Sequence, residues 1–329
     1  MVQKVAIFCG GPSSEHEVSI LSARKIYEFI DKEKYDIYFF FISKDLKVTL
    51  EAATSNFPFK MVEGTSLKDG LQKIKDKNMF ALLAGIHGEF AEDGKLQAIL
   101  EENMIPYSGS NSQVSDLCMD KFKSMDIAKK LGIGIPKTVA LTFPKDINKK
   151  IDIAFPVIVK PNNLGSSVGV SVVENKEQLQ KTFKELINLL NASKVLVQEL
   201  IHGIELSCGC LEKKDGDFIK LPPIEIHPKH GELFDYKSKY VPGESNDVTP
   251  PKNISKMLSD EISDIAVDIH KALGCKTYSR SDFLVKDNNI YYLETNTLPG
   301  MTSTSLLPLE AQAIDISFTQ LLDFIITNS

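Results

Sequence analysis

Arg280, Asp282, Glu294 and Asn296 flank the polar triplet Asp287-Asn288-Asn289 and are the residues best spaced to do chemistry together. The runs on either side, Ser281-Asp282-Phe283-Leu284-Val285 and Ile290-Tyr291-Tyr292-Leu293, predict a β-hairpin, and Asn289 suits the left-handed position of a three-residue turn. With that turn Lys286 closes against Ile290. Carried outward, the register sets Asp282 opposite Glu294 and Arg280 opposite Asn296, and the two-residue period of a strand puts all four on one face. Carboxylates directly opposed in a sheet repel, so the arrangement asks for a cation between them. Oxygen donors from Asp282, Glu294 and Asn296 suit magnesium, which usually keeps water or phosphate oxygens in its remaining positions. Taken alone, the motif is equally compatible with a solvated hairpin whose charges turn outward.

A second group is Lys160-Pro161-Asn162-Asn163-Leu164-Gly165-Ser166-Ser167-Val168-Gly169. Small residues let backbone N–H groups approach phosphate oxygens, and Lys160 adds a point charge. The spacing is not that of a P-loop, and an ordinary hairpin loop is the competing reading. A third group, Gly10-Gly11-Pro12-Ser13-Ser14-Glu15-His16-Glu17, joins a strand to a helix, with Ser14 and Glu17 in capping-box spacing. Glu15 sits at the carboxyl end of a parallel strand, where it either receives a substrate ammonium or complements the helix dipole. His87, in His87-Gly88-Glu89 ahead of Glu92-Asp93-Gly94, is either a base or binding group or a hydrogen-bonded structural histidine. His227 and His230 have zinc-like spacing but lack a third ligand pattern. There is no GxSxG elbow and no cysteine–histidine pair for covalent hydrolysis.

The elements that must hold these groups alternate. Strands at Val5–Cys9, Tyr35–Ile42 and Met79–Ala84, with a helix from Ser14 to Ile30, predict an α/β domain with a parallel, doubly wound sheet. The buried stripe of that helix is Ala23, Ile26, Tyr27 and Ile30. A helix over Lys121–Leu131 ends at Gly132 and Gly134. Strands at Val157–Lys160 and Val168–Val173, then a lysine-rich helix to Leu190, make a small lid. Strands at Val195–Glu199 and Leu206–Leu211, a polar loop from His227 to Pro251, a helix from Ser255 to Leu273, the hairpin and a helix after Pro308 complete the chain. The boundaries fall at residues 1–110, 111–198 and 199–329.

At 329 residues the chain exceeds what one core supports. It is 43% hydrophobic and 25% charged, ordinary for a globular protein. A net charge of -6 and a pI near 5.6 argue against nucleic acid as a partner. No run approaches the ~20 apolar residues of a membrane span. Cys9, Cys118, Cys208, Cys210 and Cys275 read as reduced core thiols, which places the protein in the cytoplasm.

In this order the motifs resemble D-alanine:D-alanine ligase, of the ATP-grasp superfamily, over essentially the whole chain. The resemblance is carried by Gly10-Gly11 through Glu15 to Val18-Ser19, His87-Gly88 with Glu92-Asp93-Gly94, Pro106-Tyr107-Ser108-Gly109, Met119-Asp120-Lys121 and the Lys160–Gly169 segment. Phe234 to Tyr240, Arg280-Ser281-Asp282 and Glu294 through Asn296 to Thr302 complete it. It implies an ATP-grasp fold with ATP between a central lid and a C-terminal sheet. Lys121, Lys160 and Lys239 would join the ATP-binding set, with adenine on the backbone of Glu199 and Ile201 and beside Gln198, and the ribose on Glu205. Asp282, Glu294 and Asn296 would hold two Mg2+, with Mn2+ as an alternative. Glu15 would bind the ammonium of the first D-alanine, His87 would join the substrate set, and Ser305 and Leu306 would take the carboxylate of the second. Arg280 and the Gly300 amide would face the oxyanion, while Ser166, Tyr240 and Glu15 form a closing set that favours dipeptide over depsipeptide. The family also suggests a homodimer. Two departures stand out: Phe90-Ala91 replace a usual glycine pair, and Gln198 replaces a usual acidic residue. A depsipeptide-forming relative using D-lactate is the nearest rival, with Tyr240 against it. A nucleotide-binding regulatory module would need only the lysines and glycine loop.

Overall fold

A computed structural model describes residues 2–56, 59, 64–142, 145–146, 151–165, 167–190, 194–227 and 247–329. Ser166, His230, Lys239 and Tyr240 lie outside the described residues. The apolar run of β1 (Gln3–Gly10) is buried because strands flank it on both sides, as parallel central strands require. After α1 (His16–Phe29), β2 (Tyr35–Ile42) pairs with it in parallel. β3 (Lys47–Ala52) and β4 (Thr65–Ser66) then add an antiparallel edge, followed by α2 (Leu67–Asp76), β5 (Phe80–Leu82) and α3 (Lys95–Glu102). The sheet order is β4-β3-β2-β1-β5, so the predicted parallel sheet is mixed at one edge. Half-exposed β3 lacks the strong alternation that would have announced it.

Gly10 and Gly11 turn the chain out of β1 at φ 82° and 95°, and a β-carbon on Gly10 would fall 2.1 Å from the Ile42 carbonyl oxygen. The Ser14–Glu17 capping box does not form: α1 begins after Glu15, which makes no side-chain cap. Its entry is set by tertiary bonds instead. Ser13 Oγ accepts from Glu15 N at 3.2 Å and donates to the His87 carbonyl at 2.8 Å. The buried stripe is as expected, with Ala23, Ile26 and Ile30 in the core and Tyr27 packed against it.

α4 (Ser112–Met119) and α5 (Lys121–Lys130) lead into a second sheet of β6 (Thr138–Thr142), β7 (Val157–Pro161), β8 (Ser171–Val173) and, beyond α6 (Lys176–Leu190), β9 (Lys194–Glu199). Its order is β6-β9-β7-β8, antiparallel throughout. Val157, Val159, Val173, Leu179, Phe183, Val195 and Val197 form its core. The strand expected from Val168 starts only at Ser171, because Ser167 and Gly169 turn the chain at positive φ.

The third sheet runs β11-β10-β13-β14 from β10 (Ile204–Glu212), β11 (Phe218–Lys220), β13 (Tyr278–Lys286) and β14 (Asn289–Asn296), with β12 (Ile224–Ile226) also on β10. One face buries Leu206, Cys208, Phe283, Val285 and Tyr292 under α7 (Lys256–Leu273) together with α4 and α5. The other face carries Ser207, Gly209, Arg280 and Asp282 by the two-residue period. α8 (Leu306–Gln312) and α9 (Phe318–Asn328) follow, where a single helix after Pro308 was expected. All five cysteines are buried free thiols. No helix among the described residues is long and apolar enough to cross a membrane.

The hairpin differs from expectation in a compensating way. Its turn has two residues, Asp287 and Asn288, both at positive φ (51° and 60°), so Lys286 pairs with Asn289 rather than Ile290. A β-bulge then skips Leu293 between the Phe283–Tyr292 and Asp282–Glu294 pairs. The two one-residue shifts cancel, and Asp282 faces Glu294 and Arg280 faces Asn296 as predicted.

β10 carries β12 along residues 205–207 and β11 along residues 210–212, which leaves a gap at Gly209. Buried Glu310 fills it, its Oε2 accepting from Gly209 N at 2.7 Å, and a β-carbon on Gly209 would sit 2.2 Å from Leu307 Cδ1. Burial pushes the Glu310 carboxyl up to about 8, against the pull of Arg280 and the Gly209 N–H. Unfolded, the group titrates near 4.5. Between these values the folded chain holds a proton that the unfolded chain has lost, so stability falls as pH rises through that window and levels off above it. Glu310→Gln removes this dependence. Urea unfolding should show the wild type losing on the order of 3 kcal/mol more than the variant between pH 5 and pH 8, and parallel pH profiles would refute the assignment.

Candidate active site

A cavity of about 660 Å³ opens between the second and third sheets. Lys121, Lys160, Gln198, Glu199, Ile201, Glu205, Asp282 and Glu294 all line it, eight of the residues singled out from sequence. The bulge explains how Leu293 and Glu294, neighbours in a strand, both reach the cavity.

On the sheet face, Arg280 Nε and Nη2 donate to the two Asp282 carboxylate oxygens at 3.1 and 3.3 Å. Ser207 Oγ donates to Asp282 Oδ1 at 2.5 Å, and Lys121 Nζ lies 2.9 Å from Glu294 Oε2. Asn296 Oδ1 accepts from Leu298 N at 3.0 Å. Asp282 and Glu294 are thus compensated by Arg280 and Lys121, and the donor set is oxygen-only, as magnesium requires.

Lys121 owes its position to the start of α5. Asp120 caps that helix by accepting from Lys123 N at 3.1 Å, and Lys121 N donates to the Asn162 carbonyl at 3.2 Å. The ammonium also donates to the Leu164 carbonyl at 2.7 Å, within the glycine-serine loop. That loop reaches the first sheet: the position of a β-carbon on Gly165 is 3.6 Å from Glu15 Oε1 and 3.7 Å from Glu92 Oε2.

Glu15 is buried just ahead of α1, and Glu92 joins it, accepting from Gly88 N at 2.9 Å. Burial first, then the nearby Glu15 charge, pushes the Glu92 carboxyl up to about 8. His87 Nε2 meets Ser22 Oγ at 2.8 Å, its Nδ1 is 4.0 Å from Glu92 Oε1, and burial lowers its pKa. Ser305 precedes α8 and its Oγ accepts from Thr302 N at 3.0 Å, while Leu306 is buried beside Ile224 and Ile226. Of the zinc-like pair, His230 lies outside the described residues, and His227 joins no group of three possible metal ligands among the described residues. Its Nε2 contacts Glu225 Oε1 at 2.9 Å, and Glu225 also accepts from the Lys252 and Asn253 backbone.

Sequence reasoning missed Ser207, Glu92 as a neighbour of Glu15, and Glu225 at the cavity wall. Ser207 shares the face of Glu205 by strand period, but its meeting with Asp282 depends on β10 pairing with β13. Glu92 lay in a quoted motif without a role.

Two antiparallel sheets clasping a cavity lined by lysines and opposed carboxylates define an ATP-grasp enzyme. Family models described as D-ala D-ala ligase N-terminus and D-ala D-ala ligase C-terminus match residues 4–110 and 127–327. D-alanine--D-alanine ligase A of Bacillus cereus is 38% identical over 97% of this chain and 95% of its own. Ligase B of Clostridium perfringens is 36% identical over 99% and 98%. Among solved structures, the D-alanine--D-alanine ligase of Bacillus anthracis complexed with ATP superposes with a TM-score of 0.77 at 33% identity, covering 99% of this chain and 97% of that one. A D-Ala:D-Ser ligase from Enterococcus faecalis gives 0.81 at 29% identity, covering 99% of both. The chain belongs to the D-alanine–D-alanine ligase family.

Glu294→Gln keeps the shape but weakens the contact to Lys121 and removes one anionic donor. Turnover should fall about 10²–10³-fold, the range for losing one electrostatic contact to a transition state. Stability should fall by only about 1–2 kcal/mol, because the group is a quarter exposed and the Gln amide oxygen still accepts from the buried Lys121 ammonium. Steady-state rates over a magnesium titration, with thermal melts alongside, check this; an unchanged rate at limiting magnesium would exclude Glu294 from the metal set.

Proposed function

We propose that this chain joins two D-alanine molecules into D-alanyl-D-alanine, converting ATP to ADP and phosphate through an acyl phosphate, as a step in cell-wall peptidoglycan synthesis. The observation that carries this reading is the bonding of Lys121 to both Glu294 and the Leu164 carbonyl, in a loop that reaches Glu15. One connected constellation thereby spans a nucleotide-sized cavity and an acidic pocket suited to an ammonium.

In this reading the ATP phosphates lie against Lys121 and Lys160, with Lys239 completing the set. Adenine lies on the Glu199–Ile201 backbone beside Gln198, and Glu205 takes the ribose hydroxyls. Asp282, Glu294 and Asn296 would hold Mg2+, which when bound neutralises phosphate charge. Glu15 fixes the first D-alanine by its ammonium, with His87 nearby, so that its carboxylate meets the γ-phosphoryl group. A carboxylate is a poor electrophile, and phosphorylation supplies a leaving group. The amine of the second D-alanine, held through its carboxylate at Ser305 and Leu306, then attacks the acyl carbon and phosphate departs. Arg280 and the Gly300 amide stabilise the oxyanion. Alignment of three reactants contributes on the order of 7–11 kcal/mol when water is kept from the acyl phosphate. We assign Ser166 and Tyr240, with Glu15, to that exclusion. We place the reaction in the cytoplasm, where ATP is available, and expect a homodimer.

Phosphate release from ATP should appear only when D-alanine is added, and product analysis near neutral pH should show D-alanyl-D-alanine as the main product with D-serine or D-lactate competing for the second position. Release without D-alanine would refute the ligase reading. A D-lactate ester or D-serine dipeptide as main product would refute the acceptor assignment alone.

A further inference from the structure

We propose that Thr138 sets which purine this enzyme accepts, by fixing the orientation of the Gln198 amide. The inference rests on reading the cavity as the nucleotide site. A glutamine has an accepting oxygen and a donating nitrogen at equivalent ends, so one free to flip reads a 6-amino or a 6-oxo purine equally well. Here the flip is blocked.

Thr138 stands directly opposite Gln198 in the β6–β9 register. The Thr138 hydroxyl donates its single hydrogen to the Pro136 carbonyl at 2.7 Å; its 4.0 Å approach to Met125 Sδ is much longer. With that hydrogen committed, Thr138 Oγ1 can only accept, and Gln198 Nε2 donates to it at 2.8 Å. The same nitrogen donates to Met125 Sδ, also an acceptor, at 3.2 Å. Reversing the amide would set its oxygen against two acceptors in a site where Gln198 is only 3% exposed, leaving it without a donor. The nitrogen is therefore held toward Thr138 and Met125. The oxygen is what Gln198 presents to the cavity that it lines.

An accepting oxygen matches the 6-amino group of adenine and opposes the 6-oxo group of hypoxanthine or guanine. A carboxylate at position 198 would accept through either oxygen and need no such lock. The neutral amide makes this chain depend on Thr138, which acts as a positioning residue because it works through Gln198.

The test is initial-rate kinetics at saturating D-alanine, comparing ATP with inosine triphosphate. The wild type should favour ATP. Thr138→Val, nearly isosteric, should lower the ATP-to-inosine-triphosphate ratio of kcat/KM by about tenfold, through opposite changes in the two nucleotide KM values, with the D-alanine KM unchanged. Thr138→Ser should restore the ratio. A merely structural role for Thr138 would weaken both nucleotides in parallel and leave the ratio intact, and that result overturns the proposal. Gln198→Leu separates the two levels of inference: if it leaves the ATP KM unchanged, the base does not lie beside Gln198 and the reading of the cavity fails as well.

Discussion

The ammonium of Lys121 is the contact on which the site's geometry turns. Its side chain is 9% exposed, and a charge so far out of water must be paired and hydrogen-bonded. Glu294 Oε2 and the Leu164 carbonyl meet that demand. One is on the sheet that carries the opposed carboxylates and the other on the glycine-serine loop, so satisfying a single cation fixes the distance between sheet and loop. In the proposed reaction an entering phosphate competes for the same ammonium, which couples nucleotide binding to the placement of the loop beside Glu15.

The helix that opens at Lys121 was legible because its causes are local. Asp120 is a strong helix N-cap residue, and the helix behind it carries its own stop at Gly132. The hairpin was legible for a less secure reason. Turn length and strand register are set by different physics, the first by which residues tolerate positive φ and the second by which side chains face the core. Asp287 and Asn288 take the turn and leave Asn289 in the strand. The register is then restored by the bulge, because Ile290 and Tyr292 must stay buried under α7 while Glu294 and Asn296 must face Asp282 and Arg280. The register carried outward from a turn one residue too long reached the right pairs because an unforeseen bulge cancels that shift.

What pattern could not reach is pairing between distant segments. Ser207 meets Asp282, and Glu310 meets Gly209, because a sheet places β10 beside β13 and leaves a gap between β11 and β12. The Ser14–Glu17 capping box failed for the same reason. The local bond was available, but the His87 carbonyl offered Ser13 a tertiary partner that sets the entry to α1.

The same tertiary placement governs how charge is divided along the site. The cavity between the second and third sheets gathers Lys121 and Lys160 with Asp282 and Glu294, where Lys121 pairs with Glu294 and Arg280 with Asp282. Glu15 and Glu92 come together beside Gly165, with the buried, depressed His87 next to Glu92 and the charges of Arg280 and Lys121 also acting on Glu92. Two full negative charges there would repel with little screening. Holding the Glu92 proton to about 8 avoids that, and a protonated carboxyl can donate a hydrogen bond as well as accept one. In the proposed reaction an ammonium arriving at Glu15 would lower the cost of ionising Glu92, which would make the charge of the pair respond to occupancy.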